Sequence, residues 1–209
     1  MIRKRSKLSL MFLLLLLVFG CVSAGPKIPV DRGSVEPGGT VARGETRLKL
    51  LGTPLAIGSP LPSVKLVDAM TMKDVDLAQE RGNILFLSIV PSLDTPVCEE
   101  QTHALGEGAG KLSGDIRLVT ISRDTPFAQK RFAREAKLTQ LQYLSDYKQG
   151  DFGRSTGLLV EGPMLLSRSV VLVDRGGIVR YIQVVPDISH LPDMEAAILE
   201  ATKLANQGR

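Results

Sequence analysis

The chain of 209 residues has no tryptophan, only two histidines and two cysteines, and an aromatic content of 4%. The cysteines stand alone at positions 21 and 98, which excludes a disulfide-stapled scaffold and, with no C-x-x-C, the common dithiol redox motif. His103 and His190 cannot build a cluster of soft metal ligands with so few thiols, so neither a metal nor another cofactor is expected. No apolar run reaches the roughly 20 residues of a membrane-spanning helix; Leu8 to Phe19 spans only about a dozen, the length of a secretory signal core. A charge excess is missing as well. Four of the 26 Lys+Arg lie in the first twenty residues (Arg3, Lys4, Arg5 and Lys7), and without them 22 basic residues balance 22 acidic ones. Nothing in that balance calls for nucleic acid or an acidic partner.

What is there begins with those four basic residues followed by the apolar run, so residues 1–20 are expected to be a signal peptide and the protein to be exported. Val18-Phe19-Gly20-Cys21 resembles the lipobox of bacterial lipoproteins, although Phe19 fills a position that is usually small. The resemblance implies lipid attachment at Cys21, a membrane partner through that anchor, and a place in the bacterial cell envelope, on the periplasmic side or the cell surface. Val22, where a retained lipoprotein would carry Asp, leans toward the outer of two membranes. Cleavage near Ala24 is the alternative; in either case no free thiol remains at position 21. Residues 25–44 hold five glycines and three prolines with no apolar period. Residues 21–44 are therefore expected to be a flexible tether reaching roughly 25 to 30 Å, and residues 45–209 a single domain.

Within that domain, Arg47–Leu51 and Leu55–Ile57 read as a hairpin turning through Gly52-Thr53-Pro54, and "SVKLVDA" with "KDVDLA" as a second short pair. "NILFLSIV" is apolar at nearly every position, and "DIRLVTIS" and "SRSVVLVD" follow as a second and third apolar run, as expected of parallel strands covered on both faces. Helical patterns follow at about 97–109, at "TPFAQKRFAREA" with Asp124 or Thr125 as cap and Pro126 in the first turn, and in "LPDMEAAILEATKLANQ". Gly176-Gly177 turns the third run back into "IVRYIQVV". This order of elements is that of a thioredoxin-like α/β domain with an added N-terminal hairpin.

Cys98 falls in the first helical turn after the central strand, where unpaired backbone N–H groups and the helix dipole favour an anion. A thiol of ordinary pKa near 8.5 is only about 3% ionised at pH 7, and bringing a pKa to about 6 takes about 3.4 kcal/mol. A helix terminus supplies about 0.3 to 1 kcal/mol, and Glu99 and Glu100 act in the wrong direction, so a cation is required. Alternatively, Cys98 is simply a small buried hydrophobe. His103, five positions on, points about 140° away from the thiol and is no candidate base; His190 is expected in a surface loop.

Pro91, Thr95 and Cys98 form P-x-x-x-T-x-x-C on a strand-loop-helix junction, and here the chain resembles the peroxiredoxins. "SLDTPVC", "TPFAQKRF" and "EGPMLLSRSVVLVD" narrow the resemblance to the thiol peroxidase subfamily. It implies a thiol-dependent peroxidase of peroxiredoxin-type thioredoxin fold that reduces hydrogen peroxide or alkyl hydroperoxides. It further implies that Cys98 attacks the peroxide and becomes a sulfenic acid, that Thr95 donates a hydrogen bond to peroxide and thiolate, that Pro91 shields the pocket, and that Arg168 supplies the cation. Without the family, Arg168 would be taken for a solvent-facing residue at a strand entry. Ala133 stands where many relatives carry a resolving cysteine, which implies a one-cysteine mechanism with an external thiol reductant, possibly thioredoxin-like. A homodimer is also implied. The competing expectation is a peroxide-sensing or structural envelope lipoprotein with little turnover.

Overall fold

In the computed structural model of the protein, residues 27–112 and 114–207 are described. The signal peptide, the lipobox and Cys21 lie outside the described residues. In chain order the elements are β1 (Val30–Asp31), β2 (Thr40–Arg43), β3 (Thr46–Leu51), β4 (Leu66–Asp68), β5 (Asp74–Val75), β6 (Ile84–Ile89), α1 (Pro96–Gly108), β7 (Ile116–Ser122), α2 (Pro126–Glu135), β8 (Gln142–Ser145), α3 (Asp151–Thr156), β9 (Leu159–Val160), β10 (Ser169–Val173), β11 (Val179–Val184), β12 (Leu191–Pro192) and α4 (Met194–Asn206).

A central sheet runs in the order β11-β10-β6-β7-β8-β4-β5. The three apolar runs occupy its middle as β10, β6 and β7, and β6 is buried at all six positions. Alternation along β6 sends its side chains to two different cores. Ile84 and Phe86 face one layer with Cys98, Leu105, Phe132 and Ala197; Leu85, Leu87 and Ile89 face the other, with Phe152, Val41 and Leu50. Helices α1, α2 and α4 thus cover one face of the sheet, and α3 with the β2–β3 hairpin covers the other. β7 is parallel to β6, as expected, whereas β10 is antiparallel to it. A buried apolar run carries no direction; the chain reaches β10 through a return past α3, and the tight turn at Gly176-Gly177 then adds β11 at the sheet edge.

Two expectations at the N-terminus are corrected. The hairpin forms between β2 and β3, one element earlier than expected, while Leu55 is held as loop by Thr156, whose carbonyl accepts its N–H. Residues 27–44 are no free tether: β1 pairs in parallel with β12, Gln183 Nε2 donates to the carbonyls of Asp31 and Gly33, and Val41 is fully buried. The glycines here shape turns. Gly38 takes φ +77°, and a Cβ there would lie 2.8 Å from Pro54, so composition that reads as freedom is used for close packing.

Candidate active site

β6 ends at Ile89, and its continuation through Pro91 and the loop 92–95 delivers the chain to the start of α1. Thr95 is the N-cap residue of α1 and Pro96 its first helical residue, a position where the absent N–H costs nothing. Cys98 is therefore the third residue of the helix, with no solvent exposure. The antiparallel register sets Ser169 opposite Ile89, which brings Arg168 alongside the end of β6.

Arg168 is 2% exposed, and its guanidinium is fully engaged. Nη2 donates to Cys98 Sγ at 3.3 Å, Nη1 to Gln101 Oε1 at 2.8 Å and to the Val97 carbonyl at 3.4 Å, and Nε to the Ile188 carbonyl at 2.9 Å. No carboxylate is among these partners. Burying a cation without an anion is costly, and the only group in this shell able to carry negative charge is the Cys98 sulfur. The sequence expectation of a cation at the thiol is met geometrically, and the solvent-facing alternative for Arg168 is not.

Gln101 was not singled out by sequence, and Asp124 only as a possible helix cap. Gln101 is fully buried; with Oε1 on Arg168, its Nε2 donates to Ser88 Oγ at 2.9 Å, so the amide links the central strand to the arginine. Its spacing of three from Cys98 on a helix was the available signal. Asp124 accepts from Ser92 Oγ and Leu93 N, each at 2.7 Å, and from Ser122 Oγ at 2.7 Å, fixing the loop before α1 to the end of β7. Nothing local marks that role, because Ser92 and Asp124 are joined only by the fold.

Thr95 departs from expectation. It is exposed, and its hydroxyl donates to the Ser92 carbonyl at 3.0 Å, so that hydrogen is not directed at the thiol. Its oxygen lone pairs remain for an incoming donor. Pro91 is buried and lines a cavity of about 380 Å³ with Leu48, Val160, Leu165, Leu166 and Ile188. His103 is partly exposed and lies 3.9 Å from Glu99, away from the site, and His190 lies 3.6 Å from Asp31. Ala133 is fully buried, and Cys98 is the one free cysteine among the described residues.

A family model described as Redoxin matches residues 56–198. The thiol peroxidase of Halalkalibacterium halodurans is 37% identical over 158 residues, covering 76% of this chain and 93% of that protein. The thiol peroxidase of Bacillus subtilis is 34% identical over 154 residues, covering 74% and 90%. Among solved structures, a peroxiredoxin-like protein from Aquifex aeolicus superposes with a TM-score of 0.72 at 28% identity, covering 79% of this chain and 96% of that one. A thiol peroxidase from Chromobacterium violaceum superposes at 0.67 and 24% identity, covering 81% and 97%, a likeness of fold.

Proposed function

The chain belongs to the redoxin family, and we infer from its thiol peroxidase relatives and from the pairing of a buried thiol with a buried, carboxylate-free arginine that it is a thiol-dependent peroxidase acting through Cys98. The thiolate attacks the terminal oxygen of a hydroperoxide; the S–O bond forms as the O–O bond breaks, and the departing oxygen takes a proton to leave as water or alcohol. Cys98 becomes a sulfenic acid. Arg168 stabilises the thiolate and the charge that develops on the leaving oxygen, where a preorganised donor in a dry site has its largest effect. Thr95 is assigned the role of acceptor toward the peroxide O–H, opposite to the donation first expected, because its own hydrogen is on Ser92. Pro91 is assigned the shielding role; it is buried and lines the neighbouring cavity.

That cavity, apolar along Leu48, Val160, Leu165 and Leu166, supports alkyl hydroperoxides as substrates beside hydrogen peroxide. Since Ala133 offers no thiol, the sulfenic acid is returned to the thiol by an external reductant, with disulfide exchange completing the cycle and sulfinic acid as the dead end. A homodimer is proposed on the family footing alone.

For location we propose a signal peptide at 1–20 and lipid attachment at Cys21 in the cell envelope. The first residue tied to the fold is Pro29, whose carbonyl accepts from the Leu191 N–H, so the leash from Cys21 is about 28 Å at full extension, which keeps the domain close to its membrane. Radiolabelled fatty-acid incorporation that persists in Cys21→Ser sinks this proposal.

The deciding experiment on function is peroxide consumption by the protein with dithiothreitol in excess, alongside mass spectrometry of Cys98. Many equivalents consumed per protein, a sulfenic acid on Cys98, and no consumption by Cys98→Ser are expected. Consumption that stops near one equivalent would favour a sensor, and none at all a structural lipoprotein.

A further inference from the structure

Residues 29–35 lie upstream of the region matched by the family model, which begins at residue 56, yet they are bonded to the loop that holds the active-site arginine. That loop, Val185 to Leu191, presents the Ile188 carbonyl to Arg168 Nε at 2.9 Å. On one side it is held by the hairpin, with Ala42 N–H donating to the Pro186 carbonyl at 2.7 Å and Ile188 N–H to the Ala42 carbonyl at 2.9 Å. On the other side it is held by the N-terminal segment. Leu191 N–H donates to the Pro29 carbonyl at 2.8 Å, Asp31 Oδ2 lies 3.6 Å from His190 Nδ1, and at the loop's root Val184 N–H donates to Ser34 Oγ at 3.0 Å while Val35 N–H donates to the Val184 carbonyl at 3.0 Å.

We propose that residues 29–35 form a positioning brace for Arg168, acting through the 185–191 loop, so that docking of this segment sets the reactivity of Cys98. This rests on the peroxidase function inferred above. The energetic basis is the fixed carbonyl: a bond to a guanidinium is of the stronger, charge-assisted kind, and its direction decides where the other two nitrogens point. A mobile Ile188 would let the guanidinium swing from the sulfur. The brace also continues directly into the segment leading to Cys21, so tension on that segment would be felt first at β1 and its partner β12.

The test uses the full chain in detergent with the combined substitution Asp31→Ala and Val35→Pro, which removes the contact to His190 and the N–H donated to Val184. Hydrogen exchange at the Ile188 and Leu191 amides reports release of the loop, and stopped-flow oxidation of Cys98 across pH reports its consequence. Expected are faster exchange at both amides, oxidation slowed about tenfold at neutral pH, a pH profile displaced upward, and near-normal values in the conservative Asp31→Asn. Released loop amides with an unchanged rate and pH profile overturn the brace, and so does slowing that appears without any change in loop exchange. A wild-type protein that does not react with peroxide at all would instead overturn the peroxidase function, a separate and recognisable result.

Discussion

Gln101→Met tests a buried residue of the site that sequence reasoning passed over. The substitution keeps length and approximate volume but removes the oxygen that accepts from Arg168 at 2.8 Å and the amide that donates to Ser88 at 2.9 Å. A hydrogen bond to a charged group contributes about 1.5 to 3 kcal/mol. If that orientation is needed in the transition state, at 1.36 kcal/mol per factor of ten the oxidation rate of Cys98 falls roughly tenfold to a hundredfold. A purely structural role would lower stability while leaving the rate and its pH dependence alone. Gln101→Glu separates the two: it restores an acceptor for the guanidinium but adds an anion that competes with the thiolate for it. Its rate is expected to be low at neutral pH and to recover toward wild type at alkaline pH. Stopped-flow oxidation across pH, with urea unfolding of each variant, supplies both readouts. Gln101→Met oxidised within twofold of wild type at every pH would refute the positioning argument, whatever its stability.

Oxidation of Cys98 to the neutral sulfenic acid should lower the melting temperature of the protein by at least about 4 °C, since Arg168 then loses the only anion in its shell; calorimetry of the reduced and oxidised forms would contradict this by showing equal values. Gly52→Ala should cost about 3 kcal/mol or more, because Gly52 has φ +112° and a Cβ there would lie 1.9 Å from the Arg154 carbonyl oxygen; a urea midpoint near wild type would be the contrary result. Burial holds the Asp146 carboxyl above its ordinary value of 3.8, against the N–H groups of Gly153 and Phe152 and the charge of Arg123. The folded protein therefore binds the proton more tightly than the unfolded chain, and this group's contribution to stability falls as pH rises from 3.8 through the raised folded value. Asp146→Asn should become more stable relative to wild type between pH 4 and pH 7 in urea unfolding, and a constant difference across that range would be the failure.

The middle of the sheet was legible because β6 and β10 are buried at every position and β7 at five of seven, so all three are largely apolar. The pairing of Cys98 with Arg168 came only from the family resemblance; the residues alone read Arg168 as a solvent-facing strand entry, and the structure has it 2% exposed with Nη2 3.3 Å from Cys98 Sγ. Strand direction was not legible, since Ser167–Asp174 reads the same whether β10 lies parallel or antiparallel to β6. The docked N-terminal segment escaped notice for a different reason. Its strand, β1, is two residues long, too short for any alternation to register, and its bonds go to Gln183, Val184 and Leu191 some 150 positions away. Asp124 was named only as one possible helix cap; the structure gives the cap to Thr125 and uses Asp124 to hold the loop that leads to Cys98.

The absence of a carboxylate around Arg168 bears on the site after reaction as well as before it. With a thiolate at Cys98, the guanidinium has a counter-ion 3.3 Å away in a site closed to solvent. Once the sulfur carries OH, its negative charge is gone, and the guanidinium keeps only neutral acceptors at Gln101, Val97 and Ile188. An uncompensated ion in such surroundings costs several kcal/mol. Water reaching Arg168 would lower that cost, and the exposed residues nearest the sulfur are Thr95, Pro96, Glu99 and Glu100 at the start of α1. Opening there would also uncover the sulfur. Among the described residues no second thiol is available to attack from within, so a reductant from outside must reach a sulfur that has no solvent exposure, and the charge balance of the pocket would make that access depend on the oxidation state of the residue to be reduced.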